Sequence, residues 1–364
     1  MTRSEIGSRG ACAALLTLAL AVPLASAQQT LVRDAFEDNA AGWTLASAGV
    51  LFGRDSSDAL FGFDYSTLGI PEAPNTAPGD RGLTGVRLRT NTEPTSSWRD
   101  QAAIRLDAPS LTGGYTVSVD LWQNWATGPD PIGTTNYAGL YVGRSSSQSA
   151  APAQAGAGLL LSGDGSATRA ATLYKDNRRL DLVSGQYSVS DFGRGNQPGI
   201  FVGDRNTDPA NGEPIDWNAS FPAIDVAAAT SGVQPGTQGA GGTAFQWVTL
   251  TATVDADAAG AGPNPADLGV VTYEIANAAG ETLLVGTIDN SNPGAAGLDD
   301  PVSLVGRVSL VIDDPFFGSS NGPLRQFALF DNLVVTRPIP EPSAAALASL
   351  LSIGASIAAR RPRR

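Results

Sequence analysis

The chain has 364 residues, with 35 acidic against 23 basic side chains, a net charge of −12 and no histidine. The missing histidine excludes His-based triads, His general bases and the usual zinc and copper sites. The negative charge speaks against nucleic acid, whose phosphates need the opposite sign, and makes divalent cations the more natural company.

Arg3 and Arg9 form a positive start, residues 11–22 an apolar run, and Ala25-Ser26-Ala27 an A-x-A cleavage site. Residues 1–27 therefore read as a secretory signal, with a mature chain from Gln28. Cys12, the one cysteine, lies inside it. The exported protein is expected to have no disulfide.

A chain of 42 glycines, 24 prolines and 42% hydrophobic residues, with no collagen-like period, fits a loop-rich folded β protein rather than disorder. Strand patterns fall at 30–36, 59–65, 85–90 and 103–107. Tyr115, Val117, Val119 and Leu121 then take one face, and Thr116, Ser118, Asp120 and Trp122 the other. Short strands follow at 137–142, 158–161, 172–175 and 180–183. Residues 184–244 lose the period but keep Tyr187, Phe192, Phe201, Trp217 and Phe221, so they read as long ordered loops laid over a sheet.

Alternation resumes without a break at 246–254, and 270–276 with 282–288 predict a hairpin around Ala279-Gly280. Val302, Leu304, Val308, Leu310 and Ile312 are expected on one face of the next strand, and 327–336 closes the body. About a dozen short strands without a long amphipathic helix predict an all-β, two-sheet antiparallel β-sandwich over 28–337. Asp34-Ala-Phe-Glu-Asp-Asn39 with Gly42-Trp43, the closing Phe330-Asp331-Asn332-Leu-Val-Val335 and the 245–288 region resemble concanavalin A-like and jelly-roll domains. That resemblance implies that the first and last strands pair.

Residues 338–364 have three parts: Pro340-Glu341-Pro342, an uncharged run at 343–359, and Arg360, Arg361, Arg363 and Arg364. As a helix the run would cover roughly 25 Å, slightly short of a ~30 Å hydrocarbon core, with its arginines held on the cytoplasmic side. This tail resembles the PEP-CTERM sorting signal of bacterial surface proteins. The resemblance implies a C-terminal membrane helix at 343–359, recognition by an exosortase, cleavage near Pro-Glu-Pro, and passage to the cell surface or extracellular matrix.

Among site candidates, Asp331 has the parity of Phe327, Leu329, Leu333 and Val335, so it points with an apolar face. A carboxylate there needs amides or a cation. In jelly-roll carbohydrate-binding modules a Glu near the first strand and an Asp on the last share a structural calcium, which Glu37 and Asp331 would match; the other reading is an Asp at a bulge bonded to neighbouring amides. Asp204, Asn206 and Asp208 have calcium-loop spacing, with Pro209 and Ile215 in place of the EF-hand Gly and Glu.

Trp122, Trp125 and Tyr137 form a candidate aromatic platform for sugar rings, weighed against burial under the long loops. No P-loop, dinucleotide fingerprint or Glu-x-Asp-x-Glu run is present. The expected function is therefore a non-catalytic exported surface or matrix protein. The alternative is a carbohydrate-binding module for an extracellular polysaccharide.

Overall fold

A computed structural model describes residues 28–37, 40–47, 57–90, 92, 100–124, 137–144, 156–163, 171–175, 178–179, 187–189, 205–207, 214–225, 237–238, 242–255, 269–289, 306–314 and 327–339. The expected N-terminal signal, 1–27, and all of the expected sorting tail from residue 340 onward lie outside them. Among the described residues no helix is long and apolar enough to cross a membrane. Thr30–Arg337 forms one compact unit.

The strands are β1 (Gln28–Asp34), β2 (Trp43–Ser47), β3 (Asp58–Asp64), β4 (Thr84–Arg89), β5 (Asp100–Leu106), β6 (Tyr115–Asn124), β7 (Tyr137–Arg144), β8 (Ala157–Ser162), β9 (Ala171–Lys175) and β10 (Arg178–Arg179). Short pieces follow: β11 (Tyr187–Val189), β12 (Arg205–Thr207), β13 (Pro214–Asp216), a helical turn at Trp217–Ser220, β14 (Ile224–Asp225) and β15 (Thr237–Gln238). The second half adds β16 (Trp247–Asp255), β17 (Val270–Ala276), β18 (Thr282–Asp289), β19 (Arg307–Asp314) and β20 (Phe327–Pro338).

They build the two-sheet antiparallel sandwich that the alternating patterns predict. A nine-stranded sheet runs β11-β18-β17-β16-β6-β20-β4-β3, with β1 also paired to β20, so the first and last of the described strands do pair. A seven-stranded sheet runs β10-β9-β8-β7-β19-β5-β2. One core fills the space between them: Tyr115, Val117, Val119 and Leu121 from β6, and Val248, Leu250, Ala252 and Val254 from β16, meet Ile104, Leu140, Leu159, Leu310 and Ile312. The predicted β17–β18 hairpin forms, with its register running from Ala276 opposite Thr282 to Val270 opposite Asp289.

Three details differ from the sequence reading. Trp43–Ser47 is a strand, not only a Gly-Trp motif; it is short, with Trp43 buried and Leu45 47% exposed at a sheet edge, so it shows no repeating pattern. Within 184–244 the chain makes two small two-stranded sheets, β12-β13 and β14-β15, besides β11. The strand expected at 180–183 lies outside the described residues, as do Val302 and Leu304.

The third difference is in β20. A bulge between Asp331 and Val334 puts Asn332 at φ 52, so the two halves of the strand change parity there. Phe327 and Leu329 pack outside the sandwich, whereas Leu333 and Val335 pack in its core. Asp331 thus shares a face with Phe327 and Leu329 only.

Candidate functional site

The outer face of the nine-stranded sheet carries the polar groups that the sequence singles out. Residue alternation in β6 and β16 sends Asp120, Trp122, Trp247 and Thr249 to this face once Leu121 and Val248 enter the core. Trp247 stands directly opposite Trp122, and Thr249 opposite Asp120. On the other side of β6, Leu329 stands opposite Trp122 and Asp331 opposite Asp120. Two carboxylates are therefore neighbours in cross-strand register.

The segment 65–83 lies over them. It starts with a 3-10 turn, Tyr65–Leu68, capped by Asp64 and ended by Gly69 at φ 72. Tyr65, Ile70 and Ala73 then bury against Trp122, Trp247, Phe327 and Leu329, a second apolar cluster outside the main core. The Trp247 ring meets Tyr65 at 5.4 Å and Trp122 at 5.8 Å, both edge-on. Trp247 Nε1 donates to the Pro71 carbonyl at 2.7 Å, which ties the segment to β16.

Beneath it, Asp120 is fully buried and accepts from four donors. Oδ1 takes Asn75 Nδ2 at 2.6 Å and Thr249 Oγ1 at 2.7 Å; Oδ2 takes Asn332 Nδ2 at 2.9 Å and the Asn75 amide at 3.1 Å. That is a set of donors suited to an acceptor-only carboxylate. Asp331, 1% exposed, is arranged differently. Its Oδ1 accepts the Asn332 amide at 2.7 Å, and its Oδ2 lies 2.9 Å from Tyr65 Oη, which also lies 2.8 Å from the Gly82 carbonyl. Burial pushes the Asp331 carboxyl up to about 7, with the charges of Asp120 and Asp80 adding to it against the bonds from Tyr65 and Asn332. Burial and the neighbouring Asp331 likewise raise the Tyr65 phenol well above its ordinary range.

The sequence-predicted residues divide as follows. Trp122 has the outward parity expected, but at 5% exposure it is a packing residue edge-on to Trp247 in the cluster with Tyr65 and Ile70, and offers no open ring to a sugar. Tyr137 heads β7 in the other sheet, packed against Ala103, Tyr141, Leu160 and Val311, so it shares no platform with Trp122. Trp125 lies outside the described residues. Parity shows which side of a sheet a ring occupies; it does not show what covers that side.

Glu37 and Asp331 hold the same covering segment from different points rather than one ion. Glu37 Oε1 accepts the Arg81 amide, and Oε2 is 3.9 Å from Arg81 Nε. Asp331 reaches Gly82 through Tyr65. Protein donors already serve both carboxyls, and among the described residues no three His, Cys, Asp or Glu side chains converge as a metal set. The calcium expected between Glu37 and Asp331 does not fit these contacts; the amide-bonded bulge does. Asn206 lies in β12 opposite Ile215, and Asp204 and Asp208 lie outside the described residues.

Sequence reasoning missed Tyr65 and Asn75, the residues that close the site. Their one signal is the proline-rich 71–78 stretch, which reads as a turn without revealing where it docks. A Gly-x-Ser-x-Gly string also occurs, at residues 318–322, outside the described residues; the chain has no histidine to serve it as a base.

No family model and no curated relative matches the chain. Solved structures similar to it include an endo-1,3-beta-glucanase from Streptomyces sioyaensis, at 12% identity over 88% of this chain and 99% of that one, TM-score 0.38. A protein of unknown function with a galectin-like fold from Bacillus subtilis matches at 10% identity over 84% and 94%, TM-score 0.38. The exoplasmic/lumenal domain of VIP36 in its Ca2+-bound form matches at 10% identity over 87% and 93%, TM-score 0.39. With scores this low, neither ligand nor activity passes from them to this chain.

Proposed function

We propose that this is a non-catalytic exported protein, delivered to the cell surface or extracellular matrix by its PEP-CTERM-like tail. The observation that supports the non-catalytic part, for this one pair of carboxylates, is the closure of Asp120 and Asp331 under residues 65–83. Two carboxylates that meet are the minimum equipment for glycoside hydrolysis. Here they are 0% and 1% exposed and bonded to the segment that covers them, so a substrate has no access to them. The delivery part rests on Pro340, Glu341, Pro342, Arg360 and Arg361. Replacing Pro340, Glu341 and Pro342 by alanine in the native host tests it. The expected result is that wild type reaches the surface or matrix fraction while the variant stays with the membrane; equal distribution of the two would overturn the sorting role.

A second reading, recognition of an extracellular polysaccharide, is favoured by the part of the same sheet face that the covering segment leaves open. That part is polar and half-exposed, with small hydroxylated side chains. The calcium expectation narrows to Asp204, Asn206 and Asp208. Its test is a lower melting temperature in chelator.

A further inference from the structure

The covering segment, residues 65–83, is the connection between β3 and β4, neighbours at one end of the nine-stranded sheet. Its two ends are tied to each other: Asp64 stands opposite Thr84, and the Tyr65 amide donates to the Leu83 carbonyl at 3.0 Å. Gly69 at φ 72 and Gly82 at φ 68 bracket the part between, in a backbone region that other residues resist. The connection can therefore lift off the sheet as a unit while the β3–β4 ladder stays whole. Its grip is shallow. Tyr65, Ile70 and Ala73 are buried, whereas Pro71, Glu72, Pro74 and Arg81 are exposed.

At its Gly82 end the segment rests on Asp331, through the Tyr65 hydroxyl that lies 2.8 Å from the Gly82 carbonyl and 2.9 Å from Asp331 Oδ2. Asp120 has four donors, but Asp331 has the Asn332 amide and this one shared phenol. The charged groups around it are engaged elsewhere or repel it. Asp120 faces it from β6. From the segment itself come Asp80, held by Arg33 of β1 at 3.2 Å, and Glu72, whose Oε1 a Cβ on Gly82 would meet at 2.6 Å. Arg81 turns to Glu37, and Arg87 of β4 lies over the Phe63 ring at 4.4 Å. Ionised Asp331 is thus set against Asp120 beneath the segment and Asp80 within it, and burial pushes its carboxyl up to about 7. Lifting the segment admits water and returns that carboxyl towards its ordinary 3.8. The lifted form holds the proton less tightly, so between those two values each pH unit favours lifting about tenfold, and the effect levels off above them.

We propose that residues 65–83 form a pH-operated clasp, closed over the outer cluster by protonated Asp331 with Tyr65 and lifted from an intact sandwich as Asp331 loses its proton. Lifting uncovers Trp122, Trp247 and the carboxylate pair. The remaining fastenings, Trp247 to the Pro71 carbonyl and Asn75 to Asp120, set how much of the open form is present at any pH. This goes beyond the function proposed above, which concerns the closed form.

The experiment is tryptic cleavage of the full chain after Arg81, read by mass spectrometry. The rate at each pH is divided by that of an unstructured peptide carrying residues 76–86, which removes trypsin's own pH dependence. When the clasp opens and closes faster than it is cut, this ratio reports the open population. In wild type it should rise roughly tenfold between about pH 5.5 and 7 and level off above. Asp331→Asn, neutral throughout, should stay low and flat. Cleavage after Arg105, buried in β5, reads global loosening and should not change. A flat or falling wild-type ratio, or an equal rise in Asp331→Asn, overturns the clasp, and so does a rise shared by Arg105. Should Asp331→Asn fail to fold, Tyr65→Phe decides: a ratio already high at about pH 5.5 supports the clasp, and one equal to wild type there overturns it.

Discussion

Tyr65 has one phenolic proton and two oxygen neighbours, the Gly82 carbonyl and Asp331 Oδ2. When Asp331 carries a proton, both contacts are hydrogen bonds; when it ionises, one proton must serve two acceptors. Burial is what raises the carboxyl to about 7, against the bond that Tyr65 offers to its ionised form. A folded-state value raised above the ordinary 3.8 means that the native chain holds this proton more tightly than the unfolded one. The resulting stability is fully present below about pH 4 and is lost as pH rises to about 7. At about 1.4 kcal/mol per unit this amounts to a few kcal/mol. Asp331→Asn keeps a neutral donor in place, so the difference between its melting curve and the wild type's should track that window and level off above about pH 7. A parallel pair of pH profiles would show that Asp331 does not hold the proton. Asp120→Asn, by contrast, turns an amide N–H towards buried donors and should cost about 2–3 kcal/mol in chemical denaturation.

At the scale of elements, the 65–83 segment is a strap, and its fastenings are separable. Trp247 holds it at Pro71, Asp120 at Asn75, Glu37 at Arg81 and Asp331, through Tyr65, at Gly82. Tyr65→Phe keeps the ring against Trp247 and removes the last fastening. Trypsin should then cut after the exposed Arg81 faster than in wild type, while the global melt drops by about 1–2 kcal/mol. Unchanged cleavage would mean that the other fastenings hold the strap unaided. The Asn332 bulge is the matching device in the sheet. By changing parity within β20, it lets one strand serve the outer cluster with Phe327 and Leu329 and the core with Leu333 and Val335. In the other sheet, Gly158 has a similar local purpose: a Cβ there would come within 2.3 Å of the Tyr141 ring, so Gly158→Ala should destabilise the seven-stranded layer.

At the scale of the molecule, β20 is the last strand among the described residues and lies inside the nine-stranded sheet, between β6 and β4, with β1 also paired to it. Asp331 bonds to Tyr65 across 266 positions, so most of the chain must be made before this layer closes. A chain ending at residue 326 should show no cooperative thermal transition. One ending at residue 339 should melt like the full protein, because β20 is then whole. A cut at Pro340–Pro342 would therefore release the sandwich intact, which is compatible with a tail used for delivery.

The alternation that makes the strands, the two-layer class, the face on which Asp120 and Trp122 lie, and the exclusion of histidine chemistry are all legible in the residues alone. These are local properties: side-chain period and residue type are set within a few positions of one another. Folding in three dimensions is what covers Trp122, puts Trp122 and Tyr137 in different sheets, and makes Glu37 and Asp331 fasten a strap instead of sharing an ion. Each of these depends on register between segments far apart in the chain. A single-residue slip or bulge reverses the face that a residue occupies, and nothing within one strand records its partner's register.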